Sequence, residues 1–234
     1  MDPLHDWPWL ALALALPLLA LLLRPRPPGA PPRWEDPRWI INVGLPLYML
    51  HQFEEHGVDL LGRVYSFQPA FCEILGYHQL DRCPADAAFV MAVNVGAVWI
   101  AFLSGMIAGP RRAMVGAAAL GIPLVNALMH LVPALLRGAY NPGLASAALL
   151  LAPLAFLGLR GLVRAGRLDR RRIAVVVAVG VVTHAALVAS ALLRARGLLS
   201  HGALLGIQIG LGFVPLAVGL AVGDAERGPA GACP

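Results

Sequence analysis

Tyr48-Met49-Leu50-His51-Gln52-Phe53-Glu54-Glu55-His56 decides how the chain reads: two imidazoles and two carboxylates sit inside a run that otherwise has the composition of a membrane helix. The apolar pattern around it predicts a helix over Trp39 to Leu61, long enough to cross a hydrocarbon layer of about 30 Å. A charged residue at the bilayer centre costs roughly 3 kcal/mol on insertion scales, so two adjacent glutamates need partners inside the protein. At about 100° per residue, His51, Glu54 and Glu55 share one face of the helix, while His56 points away from it.

Outward from this stretch, the rest of the chain has the same membrane character. Of its 234 residues 59% are hydrophobic and 13% charged, which identifies a polytopic membrane protein. All 18 basic residues are arginines and lie mainly in short connections between apolar runs, a pattern that sets topology and does not point to nucleic acid. The absence of lysine excludes a retinal Schiff base, which needs a lysine amine.

The pattern predicts an all-α transmembrane bundle of about seven helices, or six if the first apolar run, Trp9 to Leu23, is an interfacial anchor. That run starts acidic and ends in Arg24-Pro25-Arg26-Pro27-Pro28, unlike a cleaved signal peptide. Three parts are expected: residues 1–38, a first helix and a Pro-rich linker; residues 39–222, the helical domain with the motif; and residues 223–234, a polar tail. Alternate connections hold 13 and 5 arginines, so the positive-inside rule places the N-terminus outside and the C-terminus in the cytoplasm of the cell inner membrane. The longest connection, Gly62 to Pro84, is polar and aromatic and would then lie outside, where it can cover the motif's end of the second helix. Its Cys72 and Cys83 either pair or remain free thiols.

Further polar groups interrupt later runs. Asn126 and His130 stand at i and i+4 on one face of the fourth predicted helix, and Thr183-His184 lies mid-way along the sixth. The second, fourth and sixth helices run in the same direction, which places His51, His130 and His184 at similar depth. Tyr140-Asn141-Pro142-Gly143 reads as a turn before the fifth helix.

The ordered pair His51-Gln52-Phe53-Glu54-Glu55 and Asn126-Ala127-Leu128-Met129-His130 resembles the HXXEE-domain family of bacterial membrane proteins, named for a His-x-x-Glu-Glu motif accompanied by a later Asn-x-x-x-His. The resemblance implies that His51, Glu54, Glu55, Asn126 and His130 form one site, and it implies no substrate.

Chemically, the leading expectation is a membrane-embedded metalloenzyme acting on a lipophilic small molecule that arrives from the bilayer. His51, Glu55, His130 and His184 are the expected ligands of one divalent ion, zinc, iron or manganese, which would neutralise buried carboxylates that have no intramembrane lysine or arginine beside them. Glu54, Glu55 and Asn126 are the expected catalytic groups, as general base and oxygen-orienting amide. The spacing differs from the His-Glu-x-x-His pattern of zinc proteases. Two alternatives use the same residues: a metal-free acid–base isomerase, hydratase or terpene-cyclase-like enzyme, and a proton- or ion-coupled transporter.

Overall fold

Helix starts in this chain are set by short polar caps placed just before apolar runs. The computed structural model describes residues 2–109 and 111–224, so only Gly223 and Asp224 of the expected polar tail fall among them. Asp2 accepts the Leu4 amide and Pro3 occupies the first turn of α1 (Pro3–Leu22). Asp36 accepts the amides of Arg38 and Trp39, with Pro37 at the start of α2 (Pro37–His56). Side-chain oxygens at these positions satisfy amides that a helix leaves without partners, and proline there forfeits no hydrogen bond.

The chain continues through a short α3 (Phe67–Ile74), α4 (Ala87–Ala108), α5 (Ala113–Arg137), α6 (Leu144–Arg164), α7 (Arg170–Ala195) and α8 (His201–Val222). The all-helical bundle expected from the sequence is therefore present. Six of these helices, α1 and α4 to α8, are long and apolar enough to cross a membrane. The motif helix α2 has comparable length but is not among them, because His51, Gln52, Glu54, Glu55 and His56 lower its hydropathy. Its position supplies what its composition lacks. It packs against α1, α4 and α6, and His51 and Gln52 are fully buried.

Two predicted boundaries move. The first helix starts at Pro3 and not near Trp9, since Asp2 provides a cap for residues that the apolar pattern alone omits. The second ends at His56 and not at Leu61. Gly57 follows, and the chain turns through a hairpin-like bridge of Val58 with Val64, held by Asp59 accepting the amides of Leu61 and Arg63. Burial alone would raise the Asp59 carboxyl, but these amides, the Arg63 guanidinium and the Ser66 hydroxyl hold it below the usual carboxylate range.

The long connection after α2 contains α3, whose Phe67 ring stands edge-on to His56 at 4.7 Å. Cys72 and Cys83 form a disulfide, and both lie in a second apolar cluster with Trp7, Ala85, Phe89 and Val90. This segment does cover the motif's end of α2. On the far side of the bundle, α5 and α7 approach until their backbones touch at Gly121 and Gly180, the small-residue packing that lets membrane helices gain close contact without a hydrophobic driving force.

Candidate metal centre

Glu54 and Glu55 lie on either side of His51 around α2, roughly 60° and 40° from it, and the surrounding helices give them different partners. Glu54 faces the start of α6. It accepts the phenol of Tyr140 at 2.8 Å and the amides of Ala145 and Ser146 at 3.2 and 2.6 Å. A helix N-terminus carries free N–H groups and partial positive charge, so this carboxylate is stabilised without any basic side chain. Tyr140 also accepts the Leu60 amide, and burial together with the bond to Glu54 raises its phenol well above the ordinary value, which keeps it a donor.

Glu55 faces α5 and is surrounded by imidazoles. Its Oε1 lies 3.2 Å from Nε2 of His130, and its Oε2 lies 3.4 Å from Nε2 of His51 and 3.0 Å from Nε2 of His56. His51, Glu55 and His130 are all buried, and each offers a donor atom within 4.8 Å of the others. They are the one group of this kind found among the described residues.

The neighbours of the two histidines set their tautomers. Asn141 donates from Nδ2 to the His130 carbonyl at 3.0 Å, so its Oδ1 faces Nδ1 of His130 at 2.8 Å and accepts a hydrogen bond from it. Ser146 Oγ donates to the Gly143 carbonyl at 3.3 Å and accepts from Nδ1 of His51 at 2.9 Å. In a neutral imidazole with its proton on Nδ1, Nε2 carries a lone pair. Nε2 of both rings then approaches the Glu55 carboxylate, a contact that a shared proton or a bound cation would relieve. Metal-ligating histidines typically donate their second nitrogen to a carbonyl or carboxylate in this way.

Asn126, one turn before His130, donates to Tyr48 Oη at 2.8 Å and to His51 Nε2 at 3.0 Å. It is thus joined to His51, and His51, Glu55, His130 and Asn126 form one continuous cluster. Gly143 closes one side. Its φ is +85°, and a Cβ built on it would stand 2.9 Å from His51 Cε1, 3.0 Å from His130 Cε1 and 3.2 Å from the Glu55 Cβ.

Segment 43–157 matches the family model described as a protein of unknown function with HXXEE motif. It is an HXXEE domain. The match begins within α2 and ends within α6, so α1, α7 and α8 lie outside it. No curated protein and no solved structure shows significant similarity to the chain. Within the domain, the x positions of the motif also have partners. Gln52 donates to the carbonyl and side-chain oxygens of Asn94 at 3.1 and 3.0 Å and accepts Trp99 Nε1 at 2.8 Å, which ties α2 to the π-helical turn Ala92–Trp99 of α4.

Three placements differ from the sequence reading. Glu54 points away from the His51, Glu55 and His130 cluster, because it lies on the other flank of His51. His184 donates from Nδ1 to the Gly180 carbonyl at 2.8 Å within α7 and is not among the three grouped ligands. His56 does reach Glu55, although the helical wheel directs it elsewhere: the wheel gives the direction of Cβ, and a ring on the last residue of a helix has room to swing back. The loop residues Tyr140, Asn141, Gly143 and Ser146 read in sequence as an ordinary turn and helix start. Their chemistry is visible only once α5 and α6 bring them over α2.

The different environments of the two glutamates lead to different expected phenotypes. Glu54→Gln removes a charge from the α6 N-terminus and is expected to lower stability by about 1–2 kcal/mol. It leaves the three grouped ligands in place. Thermal unfolding together with metal content checks both parts; equal loss of metal and stability would return Glu54 to the centre.

Proposed function

We propose that the HXXEE domain is a membrane-embedded enzyme in which His51, Glu55 and His130 hold one divalent ion and act on a lipophilic substrate. The observation that carries this reading is the approach of the Nε2 atoms of His51 and His130 to a buried carboxylate, each ring held by a bond at its other nitrogen; the ion would displace the Asn126 amide from His51 Nε2. The donor set fits zinc, iron or manganese: two neutral imidazoles and one carboxylate are a common catalytic set that leaves a position for substrate. When bound, such an ion would supply Lewis acidity to polarise a substrate oxygen.

The chain's own groups have separate duties. Asn141 and Ser146 hold the two imidazoles in their ligating tautomers, and Gly143 lets backbone approach the centre closely enough to exclude water from that side. Asn126 and Tyr48 orient His51. Glu54 anchors the start of α6, which carries Ser146, and so acts as a positioning residue. The catalytic base first expected at Glu54 is better sought at His56, the one imidazole touching Glu55 that is not in the grouped ligand set.

A metal-free acid–base enzyme is the second reading, favoured by the three imidazoles within 3.4 Å of one carboxylate, which can store and pass a proton. Coupled transport has no comparable observation behind it. The arginine distribution and the Cys72–Cys83 disulfide both support placing the α2–α4 connection on the oxidising side of the cell inner membrane.

The deciding experiment is elemental analysis of protein purified in mild detergent without chelator. Near one equivalent of zinc, iron or manganese is expected. Folded protein that carries no metal and gains none on incubation with these ions would overturn the metalloenzyme reading in favour of acid–base chemistry.

A further inference from the structure

His56 has two sides. Its Nε2 stands 3.0 Å from Glu55 Oε2, while among the described residues its Nδ1 has no hydrogen-bond partner and is not a sealed atom. The ring also lines a cavity of about 230 Å³ whose apolar lining includes Trp7 of α1, Phe67 of α3 and Val90 of α4, and whose other polar side chains are His5, Tyr65 and Gln68. Trp7 and Phe67 hold the imidazole between them, with ring centroids 5.2 and 4.7 Å away. Leu4, 39% exposed, stands on the rim.

The cavity is mostly apolar in its lining and smaller than the roughly 300–1,000 Å³ of typical small-molecule sites. It therefore suits one end of a longer molecule. A hydroxyl both donates and accepts, so it can pair with Nδ1 in either tautomer of the ring. Its complement is therefore a hydroxyl. A carboxylate end is disfavoured by the Glu55 charge on the other side of the ring.

We propose that this cavity binds the hydroxyl-bearing end of a lipophilic alcohol, with the hydroxyl bonded to Nδ1 of His56 and the alkyl part lying against α1. Helix α1 precedes the matched segment 43–157, so this chain places a substrate-selecting wall beside a family motif. The proposal gives the lipophilic substrate of the preceding reading a chemical class and rests on that reading.

Binding is measurable without turnover. Bromine quenches indole fluorescence on contact, so Trp7 reports occupancy by 2-bromo-1-octanol, whose bromine lies next to its hydroxyl, with 2-bromooctane as the chain-matched probe that has no hydroxyl. The protein has five tryptophans, and Trp7→Phe identifies the Trp7 component. Saturable quenching of that component by the bromoalcohol is expected, against linear, partition-driven quenching by bromooctane. His56→Phe and the cavity-filling Ala87→Leu should each weaken the saturable phase at least tenfold. Identical linear quenching by both probes, or an unchanged phase in folded His56→Phe, overturns the proposal. Metal content measured on the same samples separates the two readings. Metal present without saturable binding leaves the centre and removes the alcohol site. Saturable binding without metal retains the alcohol site and removes the metalloenzyme.

Discussion

Glu55→Gln is expected to empty the centre of metal, lowering affinity by more than the 10–100-fold that follows loss of an outer partner. Glu55 is the only carboxylate in the His51, Glu55 and His130 group, and an amide oxygen in its place neither neutralises an ion nor matches carboxylate basicity. His130→Ala should have the same outcome. Asn141→Leu is the graded companion. It leaves all three ligands but frees Nδ1 of His130, and an affinity loss of about 10–100-fold, or about 1.4–2.7 kcal/mol, is expected. Competition with a metal-responsive dye across the three variants checks the order. Asn141→Leu as severe as Glu55→Gln would mean that the loop builds the cluster and does not merely orient it, while wild-type affinity in Glu55→Gln would remove the carboxylate from the site.

Gly143→Val is expected to be the most damaging single change outside the ligands. A branched side chain at φ +85° costs at least the 1–2 kcal/mol of a left-handed L-residue, and its Cβ would stand about 3 Å from carbon atoms of His51, His130 and Glu55 at once. These groups belong to packed helices and have little room to yield. Destabilisation of at least about 2 kcal/mol, with loss of bound metal, should follow. Gly138→Ala separates conformation from crowding. Its φ is also positive, +61°, but a Cβ there meets nothing within 4 Å. It should cost about 1 kcal/mol and leave metal content unchanged. If both variants unfold alike yet retain metal, Gly143 serves the turn alone.

Hydrophobic runs, caps and breakers are local properties, and from them the sequence by itself determined a polytopic helical bundle, the positions of its long helices within a few residues, and the ordered motifs on α2 and α5. It also marked His51, Glu55, Asn126 and His130 as groups that a membrane interior does not tolerate alone. Partner choice is not local. Only the tertiary structure decided that Glu54 caps α6 while Glu55 meets three imidazoles, because neighbouring residues on one helix face different helices and a wheel does not say which helix stands where. The same reason hid Asn141, Gly143 and Ser146: asparagine, glycine and serine are what any turn and helix start contain, and their role over His51 and His130 exists only when α5, α6 and α2 are packed together. It also left His184 outside the cluster, since equal depth in a membrane constrains one coordinate and binding a common ion requires all three.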